Sequence, residues 1–325
     1  MTKIAIIGAG LTGLSIAQLL KDKAEIDIFE KARGVGGRMS TRYANEFEFD
    51  HAAQSFTIKD KHFFNFLSPY MEKGIVKQWK PSLVILESGK AAQPTKWDEP
   101  HYVAAPRMNS LCKAMAESFS PHIATEIDKI YTHNDKWCLK TKNDEIFSNY
   151  DWVISTAPSP QTHRLLSPHL KQTSLLETPK MVGCMSLMLG VSNECEIPFD
   201  AAYINHSAIG WIAKNSHKPN RETSQSLMIQ STTKWAEEHM EDDLEQTREY
   251  LLTEALSLLQ IDKSHIVHQA LHRWRYADVK TAAGEPFLLD SKNHLAAAGD
   301  WCIEGRVENA FVSAYHLSES LKKEL

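Results

Sequence analysis

The chain has 325 residues, 42% of them hydrophobic, and a formal net charge of -5. That length supports one large domain or two smaller ones with a sizeable core. No basic run points to nucleic acid, and no apolar run approaches the ~20 residues that a membrane span needs. The five cysteines, Cys112, Cys138, Cys184, Cys195 and Cys302, are odd in number and form no C-x-x-C pair. This argues against a disulfide framework or a zinc site and fits a reducing cytoplasm.

The first predicted element is the apolar strand that opens Lys3-Ile-Ala-Ile-Ile-Gly-Ala-Gly-Leu-Thr-Gly13. It is short, begins at a single lysine and ends in glycines, so it reads as a buried strand rather than a signal peptide. Gly8, Gly10 and Gly13 have the G-x-G-x-x-G spacing between a strand and an apolar-periodic helix. Gly8 allows the tight turn, Gly10 the approach of a diphosphate, and Gly13 close helix–strand packing. The helix N-terminus adds unpaired N–H groups and a partial positive charge. A second strand, Ile26-Asp-Ile-Phe-Glu30, ends in an acid that can accept the ribose hydroxyls of an adenosine. Together these predict a dinucleotide site.

Lys31-Ala-Arg-Gly-Val-Gly-Gly-Arg-Met-Ser40 follows. Gly36 and Gly37 allow a turn tight against a ligand, and Arg38 offers a fork of donors to a diphosphate. Further along, His101-Tyr-Val103 is strand-like, and Asp151-Trp-Val-Ile-Ser-Thr-Ala-Pro158 is an apolar strand ending in a small-residue turn. Met181 to Val191 and Ser226 to Ser231 are predicted strands. Asn215 to Gln225 is polar, contains a proline, and is predicted as an exposed loop. Asp242 to Leu259 is predicted as a core-packing helix, with Leu244, Leu251, Leu252, Ala255, Leu258 and Leu259 at helical spacing. Ile266 to Trp274 reads as a strand, which sets His268 and His272 roughly 13 Å apart and argues against a metal site. Leu295-Ala-Ala-Ala-Gly-Asp300 is a further strand, and a helix is expected from about Glu308. Dinucleotide-type signals at such separated positions predict a discontinuous domain.

The Glu30 strand leading into Gly-Gly-Arg38 resembles the flavin-containing amine oxidase superfamily, where this turn holds FAD. Asp50-His-Ala-Ala-Gln-Ser-Phe-Thr57 is similar to that family's Asp-x-Gly-Ala-Gln segment beside the isoalloxazine ring. Gly299-Asp-Trp-Cys-Ile-Glu-Gly-Arg-Val-Glu-Asn-Ala-Phe-Val-Ser313 is similar to its C-terminal flavin motif. With His272-Arg-Trp-Arg-Tyr-Ala277 upstream, that last segment resembles the bacterial renalase-like oxidases. The matches run from residue 3 to residue 315. Ala52 stands where the family usually has glycine, Ser55 where it often has tyrosine, and Asn309 replaces a usual glycine.

The resemblance implies an α/β, amine-oxidase-like two-domain flavoprotein. A discontinuous Rossmann-type FAD-binding domain (1–58, 103–158 and 288–325) would carry a mixed α+β substrate domain (59–102 and 159–287). FAD would be bound non-covalently. The implied FAD contacts are Gly8, Gly10, Thr12 and Gly13 in the phosphate turn, Glu30 at the ribose, and Arg33, Gly37 and Arg38 at the diphosphate. Ala53 and Gln54 would lie at the ring, Ile127 at the adenine, Asp300 at the ribityl chain and Val307 at the pyrimidine edge. The implied reaction is hydride transfer from 2- or 6-dihydro-NAD(P) to the flavin, giving NAD(P)+, followed by reoxidation by O2 to H2O2. Rearomatisation drives that step, so no catalytic acid–base residue is expected. By position, the substrate candidates are Ser55, Phe56, Thr57, Ile58, Lys59, Thr95, Lys96, Trp97, Gly183 and Arg306, with Trp274 and Tyr276 as further possible lining.

The alternatives are an amine oxidase, a non-catalytic FAD-binding redox sensor, and a desaturase-like enzyme acting on a lipid. Ser55 in place of an aromatic, together with Lys59 and Arg306, argues against a cationic amine. The intact Gln54 and Gly305-Arg-Val307 argue against a sensor. The polar loop from Asn215 to Gln225 offers no lipid entry. The expected partners are a dinucleotide substrate and O2, with no nucleic acid, membrane or metal, on a cytoplasmic monomer or weak homodimer.

Overall fold

The computed structural model describes residues 1–170, 173–222 and 224–325. A five-stranded sheet runs in the order Leu288–Asp290, Leu295–Ala297, Trp152–Ser155, Thr2–Ile7, Ala24–Phe29. All neighbours pair in parallel except the first two. Buried strands of a parallel sheet read as continuous apolar runs. Ile4, Ala5 and Ile6 are accordingly fully buried. Helices Leu11–Leu20 and Val307–Leu321 cover one face, with Leu14, Ile16, Phe311 and Leu317 in one apolar cluster. Helix Ser159–Leu166 covers the other face through Leu165 and Leu166.

A seven-stranded sheet forms the second layer. Its order is Ile266–Thr281, Lys180–Val191, Ser226–Ser231, Ile209–Lys214, Ala201–Ile204, Leu83–Leu86, Gln93–Thr95. Side chains alternate between its faces. Met185, Leu187 and Leu189 pack towards helix Leu244–Leu259, whereas Met188 packs with Phe47, Phe49 and Met228. The Asp243 carboxylate caps that helix by accepting from Glu245 N and Gln246 N, both at 3.0 Å. Leu251, Leu252 and Ala255 are buried as the periodicity requires, while Leu244 in the first turn is exposed.

The predicted strands at 151–158, 181–191, 226–231, 266–274 and 295–300 are all present. Helix Lys61–Glu72 contributes Phe63 and Leu67 to the same cluster as Leu14 and Phe311, so it packs with the helices of the five-stranded sheet. The polar segment after Lys214 corrects an expectation. It is a loop with His217, Asn220 and Glu222 exposed, but three of its polar side chains turn inward: Asn215 is fully buried, Lys218 is 2% exposed and Arg221 8%. The reason lies far away in the chain, at Asp50. Thr223, within the same predicted loop, lies outside the described residues.

Candidate active site

One cavity of about 1120 Å³ lies between the two sheets. Its first end is built by the glycine turn. Gly8 has φ +113°, and a Cβ there would meet Thr156 Oγ1 at 2.7 Å. A Cβ on Gly13 would come within 2.0 Å of the Gly8 carbonyl oxygen, so Gly13 serves the packing of helix on strand rather than the cavity wall. A Cβ on Gly10 meets nothing within 4 Å, and Gly10 faces the cavity. No side chain caps the helix that starts there. Gly8 N and Ala9 N donate within the protein, to Phe29 O and Glu30 Oε2, so it is the uncapped first turn of the helix that offers N–H groups a diphosphate fits.

Glu30 sits at the same end, 7% exposed. Its Oε2 accepts from Ala9 N at 2.9 Å and its Oε1 from Ala32 N at 2.8 Å, which fixes the carboxylate beside the turn. Ile127, at the start of strand Ile127–His133, lines this end with Thr125 and Glu126. Thr12 lines it too, and its hydroxyl donates to the Ala310 carbonyl at 3.0 Å.

Midway, Gly37 and Arg38 meet the C-terminal motif. The Arg38 guanidinium clasps the Asp300 carboxylate, Nη1 to Oδ2 at 2.7 Å and Nη2 to Oδ1 at 2.5 Å. Burial, the largest single influence, lowers the Arg38 pKa, but the Asp300 charge, its hydrogen bonds and the Asp278 charge together outweigh burial and raise it. Val307 opens the last helix and lines the cavity. The residue before it, Arg306, also lines the cavity and has φ +108°, a backbone region that L residues seldom adopt.

The far end is walled by Ala52, Ala53, Ser55, Phe56 and Thr57 on one side and by Trp211, Gln230, His272, Trp274 and Tyr276 on the other. His51 and His101 line it as well. Burial, then His272 and Arg42, push His51 down to about 4. Burial also lowers His272 and His101. These imidazoles are neutral at pH 7. Burial raises Cys184 to about 11 and Cys302 to about 12, so neither is a thiolate nucleophile. Among the described residues no cluster of three His, Cys, Asp or Glu side chains could hold a metal, and no helix is long and apolar enough to cross a membrane.

Several predicted site residues stand off the cavity wall. Arg33 is exposed. Gln54 turns its amide inward, donating to Asp50 O at 2.5 Å and Ala52 O at 3.0 Å and accepting from Lys218 Nζ at 3.1 Å. Ile58 packs into the core. Lys59 pairs with Glu99 at 2.7 Å, and Glu99 reaches the cavity in its place. Thr95 and Lys96 lie beyond it. Trp97 forms a second layer, stacked at 3.8 Å on His101, whose Nδ1 lies 3.0 Å from Ser55 Oγ. Gly183 leaves space for packing, since a Cβ there would strike Met240 Cε at 1.8 Å. Trp211, Gln230 and His101 were missed as lining residues. Each is the cavity-facing member of a strand, a distinction that needs the sheet itself to be known.

Comparison with known proteins agrees with this architecture. Residues 6–70 match the NAD(P)-binding Rossmann-like domain family. Mouse renalase is 23% identical over 349 aligned residues, covering 99% of this chain and 99% of its own. A candidate protoporphyrinogen oxidase from an Exiguobacterium species superposes with a TM-score of 0.79 at 12% identity, covering 100% of this chain and 99% of that one. A putrescine oxidase double mutant superposes with a TM-score of 0.70 at 10% identity, with 99% of each chain covered. Across its whole length the chain is similar to mouse renalase, and it shares the two-domain fold of the solved oxidases that superpose on it.

Proposed function

We propose that this protein is an FAD-dependent oxidase that takes a hydride from 2- or 6-dihydro-NAD(P) and yields NAD(P)+ and H2O2. The observation that carries this reading is the single cavity running from Glu30 and Ile127 to Val307 and the Trp211–Trp274 walls. It exceeds the ~300–1,000 Å³ of an ordinary ligand pocket. It has a diphosphate cradle at Gly10, a carboxylate for ribose at Glu30 and a paired arginine at Arg38.

Bound FAD supplies the two-electron acceptor that passes the pair on to O2. The chain supplies orientation. Gly8, Gly10 and the following helix hold the diphosphate, Glu30 holds the ribose, and the helix beginning at Val307 offers its positive end to negative charge. Ala53, Ser55 and Trp274 confine the substrate ring, and binding in that slot brings the donor carbon within attack distance. A dihydropyridine loses hydride and becomes aromatic without losing a proton first. A site whose cavity histidines are all neutral, with His51 held at about 4, suits that chemistry.

The aromatic walls Trp211 and Trp274 also suit a neutral amine, which is the second reading. Arg273, Arg275 and Arg306 line the same cavity, but so do Glu99, Asp278 and Glu308, so what separates the two readings is the donor that reduces the flavin and not the wall charge. The test is product analysis under air with a borohydride-reduced NAD mixture. Stoichiometric NAD+ and peroxide are expected. Peroxide from amines alone would overturn the reading.

A further inference from the structure

A second, smaller cavity lies beside the first. It holds about 320 Å³ and is lined by Trp235, His239, Asp242, Gln246, Thr247 and Tyr250. Its wall is aromatic. The Trp235 ring stacks on His239 at 4.3 Å and on Tyr250 at 5.4 Å, with 9° between the planes of the latter pair. Tyr250 is 49% exposed.

Two links join this pocket to the main cavity. The short helix Thr233–Glu238 places Thr233 on the main cavity and Trp235 on the second. Arg273 lines the main cavity and donates to the backbone carbonyl of Asp242, which lines the second. Arg275, on the same wall as Arg273, pairs with Glu241 next to it. The two linings are thus adjacent, joined by this helix and by the Arg273–Asp242 hydrogen bond.

This inference rests on the dihydronicotinamide reading. The substrate is then itself a dinucleotide, of which only the nicotinamide ring has to reach the inner end. With a cofactor along the main cavity, the substrate's other half extends outward over the rim. We propose that the Trp235–His239–Tyr250 pocket binds the adenosine half of the dinucleotide substrate, with Arg273 and Arg275 beside its diphosphate. A purine presents a flat face that stacks on aromatic rings. Gln246 offers an amide to its edge, and the Asp242 carboxylate, 2.6 Å from His239 Nδ1, holds that ring in the wall. Arginine forks match diphosphate oxygens. A volume of about 320 Å³ suits one nucleoside rather than a whole dinucleotide.

The test compares two donors, borohydride-reduced NAD and borohydride-reduced nicotinamide mononucleotide, which lacks the adenosine. Their KM values are measured for the parent protein, Tyr250→Ala and Tyr250→Phe, with the melting temperature as a check on folding. In Tyr250→Ala the ratio of the dinucleotide KM to the mononucleotide KM is expected to rise about tenfold, near the low end for loss of one stacked base. Tyr250→Phe, which keeps the ring, is expected to retain the parent ratio. An unchanged ratio in Tyr250→Ala, while both donors are still oxidised, overturns the adenosine pocket and leaves the hydride reading standing. Failure of the parent protein to oxidise either donor overturns both.

Discussion

Arg38 and Asp300, 262 residues apart in the chain, hold each other through two parallel hydrogen bonds at 2.7 and 2.5 Å. The pair locks the Gly-Gly-Arg turn to the C-terminal Gly-Asp turn and so sets the width of the cavity between its two ends. The Asp300 side chain is 4% exposed and that of Arg38 30%. Removing the arginine strands a buried carboxylate. Arg38→Met is expected to lose about 2 kcal/mol, after allowance for the solvent that reaches Arg38. Denaturant unfolding reads that loss. The same variant is expected to purify with less FAD per chain, measured by absorbance of heat-released flavin.

The glycines of the first turn divide by what surrounds them. Gly13→Ala forces a Cβ against the Gly8 carbonyl oxygen and is expected to cost about 1–3 kcal/mol, as overpacking does. At Gly10 an added Cβ meets no protein atom within 4 Å and faces the cavity, into which the side chain of Gly10→Leu would project. It is expected to fold with a near-parental melting temperature and to lose FAD. Equal flavin content in Gly10→Leu and the parent would contradict the cradle.

Much of this was legible in local pattern. The glycine spacing, the acid at Glu30 and the apolar strand runs each reflect a constraint that neighbouring residues satisfy. Asp50 shows where that stops. Its carboxylate accepts from Thr41 Oγ1 at 2.7 Å, Met108 N at 3.0 Å and Arg221 Nη2 at 2.6 Å, with Lys218 Nζ at 3.4 Å. Lys218 and Arg221 lie more than 160 residues away, in a segment whose polarity and proline suggest solvent. Polar composition predicts exposure only when no buried counter-charge waits elsewhere. Trp97 was equally opaque. Position beside the cavity-facing strand was readable, but the His101 ring that stands between Trp97 and the cavity was not.

The Asp50 cluster titrates in a definite direction. Burial pushes its carboxyl up, but Lys218, Arg221 and the Met108 N–H outweigh burial and hold it down at about 2. A depressed carboxyl contributes stability that is present above its ordinary value and lost as pH falls towards the depressed one. From 3.8 to about 2, that contribution is about 2 kcal/mol. Acid unfolding followed by circular dichroism is expected to fall in this window. Arg221→Met, which leaves Asp50 buried with a weaker partner set, is expected to cost about 3–5 kcal/mol and to move the acid transition to higher pH.

Arg306 sits at φ +108° where the backbone enters the last helix. Glycine adopts that region without strain, and such strain costs about 1–3 kcal/mol. Arg306→Gly is expected to melt no lower than the parent while losing a cation from the cavity wall. A clear drop in melting temperature would show that the arginine side chain contributes more than its backbone costs.

The central claim is that isomeric dihydronicotinamides reduce the bound flavin directly. Anaerobic stopped-flow absorbance tests it, mixing the purified protein with 4-dihydro NADH, with a borohydride-made mixture of dihydro isomers, and with a panel of small amines. The account predicts that the isomer mixture alone bleaches the flavin band within milliseconds to seconds. Bleaching by an amine and not by the isomers, or silence towards all three, would contradict it.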